Sequence, residues 1–543
     1  MFLNINKKIL DYLCTNLFLC DIMLIVRGGI AFKKHKGVFT LDKIAVIELN
    51  TNFIKMQQID YVMNKTFVVS NQLVMPINLV KDFYPDCFIK TAVAKEINDI
   101  LAVFKTILDR EGVTETICFA TSILNDAKNA NSFLNEILSS STFKFEILNP
   151  EEELQYLYSA VINSFSKPKG VICNIGDYST ELLMYNRRNV LHTMVIPFGA
   201  INIGRKFSDI DSPDLKCDEI KKFFVEELKQ ADWFEEITEE YEFIGTGAVF
   251  RNLGVLSRRA KKYPLDIEHN YSVSNADFKK VYSVIKPVDS VKNSKIKGLS
   301  VSDSAIIGNG LAIADALFDV LKIENLAVSK TDRETGMLFK HIIPLTNEKP
   351  ISDTLGYSLQ AINEYYDRKP NNIAQIYDLS LLLFKQLKVL HKLGRPYIRI
   401  LRIASSLYNC GMRVNYKDKE KSGFSIIENS DLFGVSHSEI ILACFVCKLR
   451  DVDNFNLSEW VKYKDLVTDE DLIAVKKLAV ILKIAESLDI TQYGVIKDIS
   501  CDILGDSVIM KTIVEGNPYL EIKHAMLAGP EFKKAFNKNL EVL

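Results

Sequence analysis

The sequence has no surplus of charge of either sign and no long uninterrupted hydrophobic run. Its 67 lysine and arginine residues nearly balance 69 aspartate and glutamate residues, leaving a formal net charge of −2. Without an overall basic field, we expect no nucleic-acid partner. The apolar stretch 13–32 contains Asp21 and Arg27, whose charges are costly in a bilayer, and no small-residue cleavage site follows a basic start. We therefore predict a cytoplasmic protein without a membrane span or secretory signal.

Cysteine and histidine are too scattered to indicate a disulfide framework or a metal site. The ten cysteines lie mostly within apolar segments, which favours reduced, buried thiols. Cys444 and Cys447 have CxxC spacing, but they lie in the helix-like segment 440–449 and no second pair follows. The seven histidines show no metal-ligand spacing. Function must therefore come from other residue types.

Two segments of similar design indicate a duplicated core. Residues 43–60 and 170–189 each have the pattern of an apolar strand, a polar turn and a second strand. In each segment the first strand ends in a polar residue, Glu48 or Asn174. Paired hairpins of this kind are typical of actin-like ATPase folds. We predict an α/β protein with a duplicated actin-like (ribonuclease H-like) core.

Changes in residue pattern suggest the domain boundaries. Strands and helices alternate between the two hairpins, which favours a mainly parallel sheet. Polar, proline-bearing stretches at 347–356 and 367–372 indicate a boundary before a largely helical region, and residues 508–514 and 519–524 show strand-like alternation. We predict five parts: an N-terminal extension (1–40), a first α/β half (41–168), a second α/β half (169–345), a helical domain (346–490) and a small α/β tail (491–543).

A family resemblance extends along most of the chain. Residues 174–181, Asn-Ile-Gly-Asp-Tyr-Ser-Thr-Glu, resemble the signature Asp-Ile-Gly-Gly-Gly-Ser-Thr-Glu of the exopolyphosphatase / guanosine pentaphosphate phosphohydrolase family, with five identical positions. Segments 120–137, 147–161, 244–253 and 482–489 resemble further family segments in the same order. The resemblance implies the actin-like core followed by a helical HD-like domain.

The resemblance also implies roles for individual residues. Glu153 aligns with the family glutamate that positions or activates the attacking water, and Glu181, which closes the signature, is a second catalytic candidate. It implies a Mg²⁺ site at Asn174, with Glu48 and Glu181 as further candidate ligands; Asp177 is either a replacement ligand along the turn or the residue of a plain Asx-type turn. It further implies that three turns bind phosphate through Asn50, Thr51, Asn52, Gly176, Ser179, Thr180, Gly245, Thr246 and Gly247.

Several family positions carry a different residue in this chain. Asn174 replaces an aspartate, so it offers Mg²⁺ an oxygen without a negative charge. Asp177 and Tyr178 replace glycines whose backbone amides would approach a phosphate, and Asn50 replaces another glycine. Asn125 replaces an arginine expected to grip phosphate.

The helical domain departs from the family as well. Tyr408 and Asn409 replace a His-Asp pair, and residues 419–422 replace the family's histidine cluster. We therefore predict an HD-like domain without its metal ligands.

Three features have a structural as well as a functional interpretation. Asn149, Pro150 and Glu152 have the pattern of a capped helix start, which explains Glu152 without catalysis. Glu153 is either the catalytic residue or a solvated carboxylate of the first helical turn. The basic run 258–262 is either a solvated helix face or a steering patch for a polyanion.

Two functions remain open. One is a weak phosphohydrolase that releases terminal phosphate from polyphosphate or guanosine pentaphosphate. The other is a degenerate family member that binds guanosine penta- or tetraphosphate or polyphosphate, or scaffolds a partner, without turnover. A sugar kinase or other ATPase is disfavoured by the helical domain, although fold alone does not fix chemistry. The family often dimerises through its helical domains, and the apolar segment 436–449 fits either a homodimer surface or ordinary core.

Overall fold

The computed structural model describes residues 23–26, 29–32, 42–63, 65–79, 83, 86–288, 295–347, 349–366, 370–449 and 455–543. The chain divides into two compact units, Met1–Asp42 and Lys43–Leu543. In the first unit, β1 (Met23–Val26) pairs antiparallel with β2 (Gly29–Phe32). The rest of the predicted N-terminal extension lies outside the described residues. All elements named below belong to the second unit, apart from Asp42 at the start of β3.

The first half of this unit is built on a five-stranded sheet of order β5-β4-β3-β6-β7. Its strands are β3 (Asp42–Leu49), β4 (Phe53–Tyr61), β5 (Phe67–Pro76), β6 (Glu115–Ala120) and β7 (Phe145–Ile147). β4 pairs antiparallel with β5, whereas β6 and β7 continue the sheet in parallel beyond β3. Residues 44–49 of β3 are all buried, because both faces of the sheet are covered.

Three helices accompany this sheet: α1 (Thr91–Glu111), α2 (Ala130–Ser141) and α3 (Pro150–Ser164). α1 buries Ile97, Leu101 and Phe104, spaced at helical intervals as the sequence predicts. The predicted start of α3 is confirmed: Asn149 Oδ1 accepts the Glu152 backbone N–H at 2.8 Å, and Glu152 accepts the Asn149 N–H at 3.1 Å. This capping box leaves the next residue, Glu153, on the buried side of the helix.

The second half repeats the design with a six-stranded sheet of order β10-β9-β8-β11-β13-β12. Its strands are β8 (Lys169–Ile175), β9 (Thr180–Asn186), β10 (Asn189–Ile196), β11 (Glu242–Thr246), β12 (Tyr271–Ser274) and β13 (Asn325–Val328). Strands β8, β9 and β10 form an antiparallel meander, while β11 runs parallel to both β8 and β13. The predicted duplicated actin-like α/β core is confirmed.

The helices of the second half are α4 (Asn202–Lys206), α5 (Pro213–Leu228), α6 (Gly247–Lys261), α7 (Asn275–Ile285), α8 (Val301–Val320) and α9 (Arg333–Ile342). Most of them pack with the sheet in one large apolar cluster. α9 instead contributes Met337, Leu338 and Phe339 to the face of β3 that α1 does not cover. Helix α9 therefore belongs to the second half in sequence, but its apolar side chains pack on the first sheet.

The region that follows is mainly helical, as predicted. It comprises α10 (Thr354–Tyr365), α11 (Pro370–Gln386), α12 (Lys388–His391), α13 (Pro396–Leu407), α14 (Lys419–Glu428), α15 (His437–Lys448), α16 (Leu457–Val461) and α17 (Asp469–Ser487). Residues 440–447 are buried in its core, so the structure supports the core interpretation of segment 436–449. The Cys444 thiol donates to the Phe424 carbonyl and the Cys447 thiol to that of Ala404, consistent with buried structural cysteines.

The C-terminal part is a small sheet of order β14-β15-β16 with two helices. The elements are β14 (Ile496–Ile503), β15 (Ser507–Val514), α18 (Tyr519–Met526), α19 (Gly529–Phe536) and β16 (Asn539–Val542). The predicted strand at 519–524 is wrong, because these residues form α18. Glu521 and Ala525 are its buried residues, and their spacing of four is helical rather than alternating.

The predicted boundaries of the five parts stay predictions, since residues 43–543 form one compact unit. None of the described helices combines the length and the apolar character that crossing a membrane would require.

Candidate functional site

The candidate site lies where the ends of parallel strands meet. β8 and β11 are neighbours in register, so Asn174 lies opposite Thr246, and the Thr246 hydroxyl donates to Asn174 Oδ1 at 3.1 Å. α6 begins directly after β11 at Gly247, which has φ +82°. A Cβ at Gly247 would overlap Asn174 Oδ1, so only glycine fits this bend. The two predicted glycine-bearing turns of the second half therefore touch each other.

Asn174 also fixes the carboxylate that ends the family signature. Asn174 Nδ2 donates to Glu181 Oε2 at 2.7 Å across the β8–β9 pair, and the Ser179 hydroxyl donates to Glu181 Oε1. Glu181 is only 1% exposed. Burial and the nearby charge of Glu153 raise the pKa of Glu181 to about 7, against the two hydrogen bonds, which lower it.

A mostly buried arginine, whose side chain is 21% exposed, connects the two halves at this edge. Arg333, the first residue of α9, donates from Nη1 to Glu153 Oε2 and from Nη2 to Glu48 Oε1, both at 2.7 Å. Burial raises the pKa of Glu153, helped by the charge of Glu48 and opposed by Arg333. Burial also disfavours the ionised form of Glu48, but Lys55 and Arg333 outweigh it and hold the pKa of Glu48 well below its usual range. Predicted residues Glu48 and Glu153 are thus brought together by one guanidinium.

A second cation supports the same cluster. Lys55 Nζ, on β4, lies 3.2 Å from Glu48 Oε2, contacts Glu334 Oε1, and lies 3.8 Å from Asp332 Oδ2. Burial disfavours the ammonium, but these carboxylates raise the pKa of Lys55 above its ordinary value. Glu48 therefore has a cationic partner on each of its two oxygens.

Sequence reasoning missed Lys55, Asp332, Arg333 and Glu334. One signal could have located the last three: they form a charged triplet shortly after the apolar strand β13, which is parallel to β11. The carboxyl ends of parallel neighbours lie at the same edge of a sheet. A charged triplet at that edge should therefore face the turns.

The turn after β3 is held by its own side chains. Asn50 Nδ2 donates to Glu48 Oε1 at 2.8 Å, and Asn50 Oδ1 accepts the Thr51 backbone N–H at 2.6 Å. Asn50 therefore occupies the Thr51 backbone N–H in this structure, and the phosphate contacts at Asn50 and Thr51 stay predictions. Thr51 is fully buried, while Asn52 lines a cavity beside the turn.

The turn after β8 is similarly braced. The Gly176 N–H donates to the Ser179 carbonyl at 2.9 Å, and the Thr180 hydroxyl donates to the Phe198 carbonyl at 2.8 Å. The Asp177 carbonyl accepts the Ile201 N–H at 2.8 Å. Burial raises the pKa of Asp177 to about 6, against the pull of Arg333. Asp177 is thus a partly buried turn residue near the Arg333 cluster.

The described residues contain no group of three or more His, Cys, Asp or Glu side chains placed to hold a metal ion. Glu48, a predicted ligand, is engaged by Arg333 and Lys55 instead. Asn174, Glu181 and Thr246 still join an amide, a carboxylate and a hydroxyl oxygen. These are the donors that Mg²⁺ prefers, and Mg²⁺ commonly uses one or two carboxylates together with water and substrate phosphate oxygens. The residues fit a Mg²⁺ ion with few protein ligands.

The basic run 258–262 is only partly a charged surface. Arg258 is 7% exposed, and its guanidinium lies over the Tyr271 ring at 5.4 Å. Lys261 pairs with Asp277. Two of the four cationic side chains, Arg258 and Lys261, therefore contact neighbouring residues of the second half.

Comparison with known proteins finds matches for both the duplicated core and the helical region. Residues 79–343 match the Ppx/GppA phosphatase family, and residues 357–520 match Ppx/GppA phosphatase, domain III. A guanosine-5'-triphosphate,3'-diphosphate pyrophosphatase of Aeromonas hydrophila is 22% identical over 62% of this chain and 66% of its own length. The protein of that name from Pseudoalteromonas translucida is 23% identical over 54% and 57%. The chain thus spans less than two thirds of these relatives.

One solved structure has the same fold over much of the chain. It is an exopolyphosphatase from Cytophaga hutchinsonii, with a TM-score of 0.51 and 18% identity, covering 55% of this chain and 98% of that one. At this identity the likeness concerns the fold.

Proposed function

Because the chain belongs to the Ppx/GppA phosphatase family, we propose that it hydrolyses a terminal phosphoanhydride bond of guanosine pentaphosphate or polyphosphate. The observation that carries the proposal is the Arg333 guanidinium, held between the buried carboxylates of Glu48 and Glu153 beside the glycine-bearing turns. Relatives named guanosine-5'-triphosphate,3'-diphosphate pyrophosphatase, and the exopolyphosphatase fold, support the same substrate chemistry.

In this proposal Arg333 and Lys55 act on the phosphate. A guanidinium fork suits two phosphoryl oxygens as well as two carboxylates, and positive charge stabilises the transferring phosphoryl group. Arg333 would exchange its contact with Glu48 for a phosphate oxygen when substrate binds and keep its contact with Glu153. Lys55 holds the second oxygen of Glu48 and adds charge to the same cluster.

Glu153 is the proposed general base. One of its oxygens is held by Arg333, which orients the carboxylate. The other oxygen can accept the proton of a water molecule that attacks the terminal phosphorus in line with the leaving oxygen. Because burial raises the pKa of Glu153, the residue is a better proton acceptor than an exposed glutamate.

We propose that Mg²⁺ is held by Asn174 Oδ1 and Glu181, with Asp177 on the adjoining turn. The ion would supply positive charge beside the phosphate oxygens. The local charge balance supports this: among the described residues, six carboxyl groups (Glu48, Glu153, Asp177, Glu181, Asp332, Glu334) face three cations (Lys55, Arg251, Arg333). A phosphate entering the site needs further positive charge or added protons.

Further phosphate contacts are proposed at the turns. The α6 N-terminus at Gly247 presents backbone amides and the positive end of a 15-residue helix, which favours an anion. Asn52 adds a side-chain donor at a neighbouring turn, whereas the Ser179 hydroxyl hydrogen is donated to Glu181 Oε1 and would have to be redirected to reach the phosphate. The cytoplasmic location and the homodimer through the helical domain remain predictions that accompany this proposal.

A second function, binding of guanosine penta- or tetraphosphate or polyphosphate without turnover, is favoured by one observation. Asn174 is engaged on both sides, donating to Glu181 and accepting from Thr246, and it carries no charge. A metal held there is bound less tightly than by an aspartate, which weakens catalysis before it weakens anion binding.

The experiment that separates the two is steady-state phosphate release with Mg²⁺, from guanosine pentaphosphate and from polyphosphate. We expect turnover by the unmodified chain and a loss of about 100-fold or more in Glu153→Gln, the range for a general base. Glu151→Gln is the matched control, since Glu151 is an exposed residue of the same helical turn. Equal rates for the unmodified chain and Glu153→Gln would refute the assigned base. Micromolar binding without any release would favour the second function.

A further inference from the structure

A large cavity opens directly onto the Arg333 cluster. Its volume is about 920 Å³, within the range of about 300–1,000 Å³ typical of small-molecule sites. Asn52, Lys55 and Asp332 line this cavity, and Lys55 and Asp332 also belong to the cluster around Glu48. A substrate whose terminal phosphate lies at Arg333 can therefore place the remainder of the molecule in this space.

The wall of the cavity is aromatic. Rings reach it from the first sheet and from the helical domain, and they are Phe53, Phe67, Tyr357, Tyr365, Tyr366 and Phe433. Side-chain amides accompany them: Gln57 and Gln72 on neighbouring strands, Asn252 on α6 and Asn429 beyond α14. Aromatic faces with a few amides are suited to a flat heterocycle, which stacks on rings and pairs its edge with donors and acceptors.

The charges on the wall do not suit a polyanion. The described lining residues include three cations, Lys55, Arg251 and Lys330, and four carboxylates, Glu268, Asp303, Asp332 and Asp431. Arg251 Nε donates to Glu268 at 2.7 Å and Lys330 Nζ to Asp431 at 2.6 Å. Since the cations are paired within the wall, no positive surplus is left for a chain that carries a negative charge on every unit.

A second cavity beside the Asn52 turn differs from the first in the charge of its lining. It has a volume of about 350 Å³, shares Asn52 with the first, and is lined by Arg205 and Lys216. Among the described residues that line it there is no carboxylate. Two cationic side chains therefore line the cavity on one side of the Asn52 turn, and aromatic rings line the cavity on the other.

From this asymmetry we propose that the large cavity is a nucleobase subsite, which takes the base of a purine nucleoside polyphosphate. The inference deepens the proposed function and rests on it for the position of the reacting phosphate. It assigns the aromatic wall, with Tyr366 as a stacking residue, to selecting nucleotides over inorganic polyphosphate.

The test compares two ligands that share a triphosphate and differ only in the nucleoside: GTP and inorganic tripolyphosphate. Calorimetric titration of the full chain gives the ratio of their dissociation constants. We expect GTP to bind about tenfold or more tightly, the scale of one base–aromatic stack. Tyr366→Ala should bring the ratio close to one by removing the ring, and Asn252→Trp should do so by filling the cavity.

Tyr416→Ala is the matched control, because Tyr416 is 73% exposed and does not line the cavity; it should keep the ratio of the unmodified chain. Equal affinities for the two ligands in the unmodified chain, or a ratio that both cavity variants leave unchanged, would overturn the subsite. Phosphate release is measured in parallel. If phosphate is released but the two ligands bind with equal affinity, the proposed function stands and the subsite is refuted. If the unmodified chain prefers GTP, Tyr366→Ala loses that preference and no phosphate is released, the subsite stands and the proposed hydrolase is refuted.

Discussion

Replacing Arg333 with methionine removes the cation between Glu48 and Glu153 while keeping an unbranched side chain of similar length. Both contacts are 2.7 Å, and both carboxylates are buried, at 3% and 6% exposure. Removing one partner of a buried ion pair costs about 3–5 kcal/mol, since the remaining charge has lost its counterion. Glu48 keeps Lys55, so most of the loss falls on Glu153, and we expect the lower end of this range.

The corresponding change in melting temperature follows from chain length. With an unfolding entropy of about 2.1 cal/mol/K per residue, the 543-residue chain loses about 3 °C for 3 kcal/mol. The effect should depend on pH. Burial already raises the pKa of Glu153, and loss of Arg333 raises it further. A glutamate with a raised folded-state pKa favours folding below its unfolded pKa and loses that contribution as pH rises through the folded value. The variant should therefore be more destabilised at pH 8 than at pH 5.

Scanning calorimetry at the two pH values measures both effects. Arg402→Met is the control, because Arg402 makes a comparable two-pronged contact with Asp353 at 3.1 and 2.6 Å, but the pair is 31% and 52% exposed. Such surface pairs contribute about 0–1 kcal/mol. If Arg333→Met melted like Arg402→Met at both pH values, the buried cluster described here would be refuted.

Three further predictions concern the same edge of the sheets. Gly247→Ala should lower phosphate release about tenfold or more, because its Cβ overlaps Asn174 and φ is positive; the control Gly308→Ala, with open space at its Cβ, should retain activity. Asn174→Asp should bind Mg²⁺ about tenfold more tightly in a calorimetric titration without substrate, since it restores a charged ligand, and an unchanged affinity would contradict the assigned ligand. The rate of phosphate release should fall on the acid side with an apparent pKa above that of an ordinary glutamate, because Glu153 acts in its ionised form. Burial and the charge of Glu48 favour the protonated form, and Arg333 opposes them; an acid limb at or below the ordinary value would argue against this base.

Local patterns in the sequence located the hairpins and the start of α3. The Asn149–Glu152 capping box depends only on residues three apart, and it is present as predicted. Glu181 lies opposite Asn174 because the two residues belong to one hairpin with a short turn. Interactions of this range can be inferred without tertiary structure.

The contact between Glu48 and Arg333 could not be inferred in the same way. Arg333 lies 285 positions further along the chain, and its contact depends on α9 packing on the first sheet rather than on its own half. The phosphate contact at Asn50 stays a prediction; in this structure its side chain bonds to Glu48 and the Thr51 amide. The strand predicted at 519–524 is wrong because alternating apolar residues in so short a segment also fit one turn of a helix. The buried residues of this segment, Glu521 and Ala525, are four positions apart, as in a helix.

The most direct test of the account is a high-resolution crystal structure of the chain soaked with Mg²⁺ and a phosphate analogue. The account predicts the anion within hydrogen-bonding distance of Arg333, with Glu153 facing the terminal phosphorus and the metal beside Asn174 and Glu181. An anion bound elsewhere, with Arg333 still closed on Glu48 and Glu153, would contradict it.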